Sequence, residues 1–278
     1  MGKHARTLAI LRAARELLAA NHPMTVRQVY YQLVSLQVVK NNRGQYQAVS
    51  NALVDARKSG EIPWIWIEDR LRRPRAVSMW DDRAEFADTA SGAYRRDVWD
   101  TQSGYLELWL EKDALSGIFE DALESYGVTL NVGRGYDGWA SIHSAARRYG
   151  SGAGVTVLYF GDFDPSGDDM VRSLRERLAH FGCRPDIRKV AITMDDIERY
   201  TLPPGLTKPT DSRRDAFVAK YGDVSVELDA LPIDVLRSYI VSEAEARMDL
   251  EALARVREIE SRERARLSAA LEGWAAVD

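Results

Sequence analysis

The chain has 278 residues, of which 45% are hydrophobic and 29% charged, a composition typical of soluble globular proteins. It holds no stretch of the roughly 18 uncharged apolar residues that a membrane span needs, and its single cysteine, Cys183, excludes disulfides and cysteine metal clusters. The net charge of −4 is unevenly distributed, because residues 1–80 carry +8 and the remainder −12. We therefore expect a cytoplasmic protein in which one part binds a polyanion, the alternative being an ordinary solvated surface.

The first 80 residues are predicted to form a small helical domain. Apolar residues at helical spacing predict three helices, over residues 3–20, 26–37 and 43–58. Thr25 is expected to cap the second of them. The aromatic segment 62–67 predicts a short strand or wing, with Trp64 and Trp66 packed into the core. Three helices followed by a β element are typical of helix-turn-helix and winged-helix modules.

Residues 81–104 are predicted to connect this domain to a second one and to contain a helix over 82–97. From Tyr105 onward strands and helices alternate. The predicted strands are 105–110, 128–132, 155–160 and 187–192, and the predicted helices between them are 113–124, 138–149 and 166–180. This alternation predicts an α/β domain with a mainly parallel sheet covered on both faces. A strand near 224–228 and C-terminal helices, the last over 249–272, complete it.

Three carboxylates follow two of the predicted strands. Glu111 ends the first strand of the second domain, and Asp162 and Asp164 follow the third. Residues i and i+2 of an extended segment face the same way, and open α/β sheets form their sites at the carboxyl ends of the strands. Clustered carboxylates without His or Cys favour Mg²⁺. Solvated strand-end acids, or Asp164 as the cap of a helix that begins at Pro165, are the alternative.

Two adjacent tyrosines lie on the predicted second helix. Tyr30 belongs to the apolar stripe of this helix and is predicted to lie in the core. Tyr31 is rotated off that stripe and shares a side with Arg27, four residues earlier. A nucleophilic tyrosine needs such a cation, because a free pKa of about 10 leaves little phenolate at neutral pH. Packing of a partly buried Tyr31 is the alternative.

Several motifs follow one another along the chain: RQVYY at 27–31, LEKD at 110–113, GRGY at 133–136, DFDPSG at 162–167 and VELDAL at 226–231. Together they resemble the A subunit of topoisomerase VI and the eukaryotic meiotic double-strand-break protein. The first is similar to the winged-helix motif of that family, in which an Arg precedes the catalytic tyrosine by four positions. The others resemble its Toprim domain in order. The size of the chain resembles the compact stand-alone "Mini-A" group.

The resemblance implies two domains and an activity. A CAP-like winged-helix domain is expected over 1–80, and a Toprim domain with a helical extension over 105–278. Family members are homodimers in which the tyrosine of one subunit meets the acids of the other. The tyrosine attacks double-stranded DNA and becomes joined to the 5′ phosphate, so we expect a DNA-cleaving, type IIB topoisomerase A-subunit-like enzyme associated with the nucleoid.

The resemblance also assigns roles to residues of this chain. Tyr31 would be the nucleophile and Arg27 its electrostatic support. Glu111, Asp162 and Asp164 would hold Mg²⁺, or Mn²⁺ in its place, a role that suits phosphoryl transfer because that reaction depends on neutralising charge.

The remaining predictions concern partners. We expect phosphate contacts, salt-dependent and mostly independent of sequence, from Arg43, Arg57, Lys58, Arg72, Arg73 and Arg75. The short segment before the tyrosine helix and the lack of a GxxxxGK[ST] loop leave open whether an ATP-binding B subunit is a partner. Two other functions stay open: a Toprim nuclease that uses water without a covalent intermediate, and a non-catalytic winged-helix DNA-binding protein.

Overall fold

The computed structural model describes residues 5–68, 77–133, 138–205, 207 and 209–276. Its helices are α1 (Ala5–Asn21), α2 (Val26–Ser35), α3 (Arg43–Lys58), α4 (Arg83–Ala93), α5 (Ser116–Leu123), α6 (Trp139–Tyr149), α7 (Pro165–His180), α8 (Met194–Arg199), α9 (Arg214–Tyr221), α10 (Ile233–Glu245) and α11 (Leu250–Ala275). Its strands are β1 (Tyr105–Leu110), β2 (Thr129–Val132), β3 (Val155–Phe160) and β4 (Asp186–Ala191). None of these helices is long and apolar enough to cross a membrane.

The first three helices pack against one another, as the sequence predicts. Thr25 caps α2 through a reciprocal pair of hydrogen bonds: its hydroxyl accepts from the backbone N–H of Gln28 at 3.2 Å, and the Gln28 side chain accepts from the backbone N–H of Thr25 at 2.6 Å. This capping box satisfies two donors that a helix start leaves free. It also sets where α2 begins, and therefore which way Tyr30 and Tyr31 face.

The predicted strand or wing over 62–67 is wrong. Trp64–Trp66 forms a turn of 3₁₀ helix, and Ile67 makes a single bridge to Met24. Trp64 is 59% exposed and Ile65 78%, so the prediction that Trp64 packs in the core is wrong as well. An alternating segment becomes a strand only beside a partner strand, whereas this one closes a 3₁₀ turn, and its bridge at Ile67 makes backbone hydrogen bonds to a single residue, Met24.

Trp66 differs from its neighbour. Its side chain is half-buried and its ring stacks on His22 with centroids 5.0 Å apart. Packing of Trp66 against the helical core is therefore confirmed.

One four-stranded parallel sheet lies at the centre of the chain, in the order β2-β1-β3-β4. Alternate residues of the strands face opposite sides. Trp109 and Tyr159 pack toward α6 and α7, whereas Leu108, Leu158 and Phe160 pack toward the other side, where α5 lies. The mixed α/β class and the doubly covered parallel sheet are confirmed, and the four strands agree with their predicted ranges to within a residue.

The segment near 224–228 does not form the predicted strand. Val226 makes one isolated antiparallel bridge to Phe163, and Ser225 makes another to Gly205. Leu228–Ala230 then turns as a short 3₁₀ helix. These bridges hold the segment across the carboxyl edge of the sheet, because Phe163 directly follows β3.

The predicted connection 81–104 is packed rather than extended. It contains α4, which lies along α11, and Arg96 forms an ion pair with Glu263 at 2.8 Å. One cluster of buried side chains continues from Ile10 in α1 to Val256 in α11. Within that core α2 packs against the Leu228–Ala230 turn, which brings the tyrosine helix to the carboxyl edge of the sheet.

Candidate active site

The strand order places two of the predicted acids side by side. β1 and β3 are neighbours in the sheet. After β1 the chain crosses to β2 on one side, and after β3 it crosses to β4 on the other side. Such a switch point opens a crevice at the carboxyl ends of the two strands. Glu111 follows β1 and Asp162 follows β3, and the Glu111 carboxylate accepts a hydrogen bond from the backbone N–H of Asp162 at 3.0 Å. The two acids are thus brought together by the sheet.

Asp164 has a different local role. Its carboxylate caps α7 by accepting from the backbone N–H of Gly167 at 2.7 Å, and Pro165 is the first residue of that helix. The helix-cap alternative is therefore confirmed for Asp164. As the spacing predicts, Asp162 and Asp164 line the same cavity, while Phe163 packs away from it against aromatic residues of α9.

The structure does not bring the predicted three acids together as one metal-binding cluster. Among the residues that the structure describes, no three Asp, Glu, His or Cys side chains lie close enough to share an ion. Glu111 and Asp162 are in contact, whereas Asp164 is directed to its helix. Asp164 is directed to its helix because the N-terminus of α7 offers the carboxylate a backbone N–H donor.

Tyr31 lies on the same cavity as the two aspartates. The cavity has a volume of about 280 Å³, and its lining includes Tyr31, Asp162, Asp164 and Glu227, all from one chain. Glu227 lines this cavity beside Tyr31, and its carboxylate adds to the effect of burial in raising the pKa of the Tyr31 hydroxyl. The resemblance implies instead that the tyrosine of one subunit meets the acids of the other.

The two tyrosines of α2 are distinguished by what their hydroxyl groups contact. Both side chains are buried: Tyr30 is 3% exposed and Tyr31 is 8% exposed. The Tyr30 hydroxyl is held by the α2–α3 loop and accepts from the backbone N–H of Asn42 at 2.8 Å. The prediction that Tyr30 lies in the core is confirmed. Tyr31 is the one whose hydroxyl reaches the cavity residues.

A lysine that the sequence analysis did not assign stands among the acids. The Lys112 ammonium lies 2.8 Å from Glu227, 3.0 Å from Asp162 and 3.0 Å from Asp229. Its side chain is only 16% exposed. Arg27 approaches the same Glu227 carboxylate at 3.5 Å. Glu227 therefore joins the tyrosine, the arginine predicted to support it, and the lysine that follows Glu111.

Sequence reasoning missed Lys112, Glu227 and Asp229 as site residues. A signal was present, because Lys112 lies within the LEKD motif and both Glu227 and Asp229 lie within VELDAL. What the pattern lacked was any indication that the VELDAL segment crosses the edge of the sheet.

Burial and charge together set the protonation of the site. Burial raises the pKa of Asp162 to about 7; Lys112 opposes this rise and Glu111 adds to it. Burial, followed by the nearby Glu227 carboxylate, raises the pKa of Tyr31 above its usual value. Burial alone would raise the pKa of Glu227, but Lys112 and then Arg27 hold it below its usual value. At neutral pH Tyr31 is thus a neutral donor and Glu227 a charged acceptor.

The Glu111–Asp162 pair suits a further cation of the Mg²⁺ type. Mg²⁺ keeps several waters and binds through one or two carboxylates plus the phosphates of its substrate, so two acids are enough. Burial raises the pKa of Asp162 although Lys112 lies 3.0 Å away, and this lysine is shared among three carboxylates. Asp229 also keeps one buried carboxylate oxygen without a hydrogen-bond partner among the described residues.

The basic residues predicted to contact DNA fall into two groups. Arg43 and Lys58 are exposed at the first and last positions of α3, and the Arg57 guanidinium lies over the Trp64 ring at 4.8 Å from its centroid. Arg72, Arg73 and Arg75 lie outside the described residues, as does most of the GRGY motif.

Comparisons with known proteins do not add to this picture. No family model matches the chain, and a search of curated proteins finds no match. The expected resemblance to topoisomerase VI A subunits therefore rests on the sequence motifs alone.

Proposed function

We propose that this protein cleaves double-stranded DNA by tyrosine transesterification, as a type IIB topoisomerase A-subunit-like enzyme with a winged-helix and a Toprim domain. The observation that carries the proposal is the position of Tyr31, which lines one cavity with Asp162, Asp164 and the charged Glu227 carboxylate. A nucleophilic tyrosine must lose its proton, and a charged carboxylate on the same cavity can accept that proton.

Each residue of the site has a part in the proposed reaction. The Tyr31 oxygen forms a bond to phosphorus, and its proton passes to Glu227, the charged carboxylate on the same cavity. The bond from phosphorus to the 3′ oxygen breaks, and that oxygen takes a proton from water. The product is a 5′ phosphotyrosyl bond. Arg27 and Lys112 keep Glu227 charged before the step.

The acids of the sheet edge supply the second part of the site. Glu111 and Asp162 would hold Mg²⁺, or Mn²⁺, with Asp164 facing the same cavity. When bound, the ion supplies positive charge for the phosphate on which charge develops. The protein's own contribution is to place the two residues side by side at the switch point of the sheet, where the Asp162 backbone N–H donates to the Glu111 carboxylate.

A break in both strands requires two tyrosines, so we propose a homodimer on duplex DNA. The net charge of +8 in residues 1–80 supports binding of the polyanion by the N-terminal helices. Arg43, Arg57 and Lys58 are the described candidates for phosphate contacts.

The proposal is tested with supercoiled plasmid and Mg²⁺ or Mn²⁺. The reaction is stopped with denaturant, divided, and analysed with and without protease. We expect linear DNA that carries covalently bound protein and blocked 5′ ends, and Tyr31→Phe should form no adduct while it still binds DNA. Tyr30→Phe is the matched control, because that hydroxyl bonds to the α2–α3 loop. Adducts that persist in Tyr31→Phe would refute the assignment.

A nuclease that activates water is the second candidate. It is favoured by the burial of Tyr31, which is only 8% exposed and whose pKa is raised by that burial. It predicts free 5′ ends and full activity in Tyr31→Phe. DNA binding without cleavage under any metal condition would favour the non-catalytic alternative.

A further inference from the structure

Helix α3 divides into a buried and an exposed side. Its buried residues, Val49, Ala52, Leu53 and Ala56, pack against α1 and α2. At 100° per residue these four lie on one side of the helix. The opposite side is solvent-exposed over the whole length of the helix and carries Gly44, Gln47, Ala48, Asn51, Asp55 and Lys58.

The chemistry of that exposed side is suited to reading bases. Gln47 and Asn51 are one turn apart, and the Gln47 amide donates to the Asn51 side-chain oxygen at 2.9 Å. This bond leaves the Gln47 oxygen as an acceptor and the Asn51 amide as a donor for an outside partner. Adenine presents one acceptor (N7) and one donor (N6) in the major groove, and Asn and Gln are the side chains that match them.

Small residues stand beside this pair. Gly44 and Ala48 occupy the same side of α3, so at these two positions no long side chain extends from the helix backbone. Asp55, one turn beyond Asn51, is the only acid on this side. A carboxylate there would repel a phosphate but can accept from the amino group of cytosine, which again fits a base edge rather than the DNA backbone.

The ends of α3 carry the positive charge that duplex DNA requires. Arg43 is its first residue and Lys58 its last, and both are exposed. At about 1.5 Å per residue they are roughly 22 Å apart, whereas the major groove is about 12 Å wide. A helix lying across the groove would therefore place its central amides at the bases and its terminal cations near the phosphates on either side.

We propose that α3 is a recognition helix that enters the major groove and that Gln47 and Asn51 give the protein a preference for adenine-containing sites. The inference rests on the proposed function only in taking duplex DNA as the ligand. It goes beyond that function, because phosphate contacts alone would give binding that is independent of sequence.

The test is a binding selection from a pool of randomised DNA duplexes. The full-length protein is used in the presence of a chelator, so that no DNA is cleaved. We expect a short enriched motif that contains adenine. Affinities for the enriched duplex and for a scrambled duplex are then measured by fluorescence anisotropy at one salt concentration, and their ratio is the readout.

Two single substitutions test Gln47 and Asn51 as the residues that contact bases. Gln47→Ala and Asn51→Ala should each lower that ratio by about 10- to 100-fold, while the affinity for the scrambled duplex changes less than about twofold. Ala48→Leu, which adds bulk to the same side without disturbing the core, should lower it as well. Asn21→Ala, an exposed amide at the end of α1, is the matched control and should leave the ratio unchanged.

The inference is overturned if the wild-type protein enriches no motif, or if Gln47→Ala and Asn51→Ala keep the wild-type ratio. The proposed cleavage has a separate readout, the covalent adduct. A protein that selects a motif but forms no adduct contradicts the role of Tyr31 and still supports α3 as the recognition helix. Melting temperatures equal to that of the wild type confirm that the variants are folded.

Discussion

Tyr31 and Glu227 line the same cavity, although Tyr31 lies on the second helix and Glu227 near the C-terminal helices. Lys112, 2.8 Å away, and Arg27, 3.5 Å away, hold the Glu227 carboxylate in its charged form. The two residues share this cavity because α2 packs on the Leu228–Ala230 turn at the edge of the sheet. Through this packing Tyr31 lies near the acids at the edge of the sheet.

The first prediction concerns Glu227. Glu227→Gln keeps the size of the side chain but removes the charged acceptor, so the rate of adduct formation should fall about 100-fold or more. DNA affinity should stay within about twofold of wild type. The measurement is a single-turnover time course of covalent protein–DNA adduct.

A matched control exists for this variant. Tyr126 donates to Glu245 at 2.6 Å, a similar tyrosine–glutamate pair on the surface and away from the cavity. Glu245→Gln should form adducts at the wild-type rate. Equal rates for Glu227→Gln and wild type would show that Glu227 does not assist the reaction.

The second prediction concerns Lys112. Lys112→Met leaves the carboxylates of Asp162, Glu227 and Asp229 without their shared cation and should lower the free energy of unfolding by about 3–5 kcal/mol at about pH 8. The loss should be smaller at about pH 5.5, because the pKa of Asp162 is about 7 and this acid is then neutral.

Urea denaturation at the two pH values measures this difference. Lys220→Met is the control, since Lys220 is an exposed lysine 3.9 Å from Asp168 and its loss should cost less than about 1 kcal/mol. A loss for Lys112→Met that does not depend on pH would contradict the coupling to Asp162.

The third prediction concerns Mg²⁺ and pH. The pKa of Asp162 rises from 3.8 to about 7 on folding, so the folded state holds a proton that the unfolded state has released. This contribution to stability is complete below about pH 4 and is lost as the pH rises through about 7. A divalent cation at the Glu111–Asp162 pair offsets the loss, and stabilisation by Mg²⁺ should therefore increase between about pH 5.5 and pH 8.

Thermal melting with Mg²⁺ or with a chelator measures this stabilisation by the ion. At about 100 times its Kd, the ion should add about 2.7 kcal/mol at the higher pH. Asp162→Asn should remove the effect, whereas Asp186→Asn, at an exposed position on β4, should keep it. Identical melting curves with Mg²⁺ and with chelator at all pH values would contradict a cation site at this pair.

The fourth prediction concerns the strand that carries Glu111. Glu107 in β1 is fully buried, and the Arg148 guanidinium of α6 donates to both of its carboxylate oxygens, at 2.6 and 3.2 Å. Arg148→Ala leaves this charge unpaired and should lower the free energy of unfolding by about 3–5 kcal/mol. The double variant Glu107→Leu with Arg148→Leu should lose clearly less stability than Arg148→Ala, and urea denaturation measures both. A double variant less stable than Arg148→Ala would argue against an unpaired charge as the cause.

Local pattern accounts for the elements that the sequence predicted well. The strands β1 and β3 match the predicted ranges 105–110 and 155–160, and α3 matches 43–58. Each is determined by a repeating spacing of apolar residues and by residues at its own ends. The wing over 62–67 and the strand near 224–228 were wrong, because a strand depends on a partner that lies elsewhere in the chain.

The sequence by itself determined where the candidate residues stand: Glu111 and Asp162 are at strand ends and Tyr31 is off the apolar stripe of α2, positions that follow from residue type and periodicity. Only the tertiary structure decided that Glu227 and Lys112 stand between them, and that Asp164 is directed to its helix. The physical reason is that hydrogen bonds and ion pairs depend on distance in space. Two segments far apart in the chain are brought to that distance by the packing of the whole core, which no local pattern specifies.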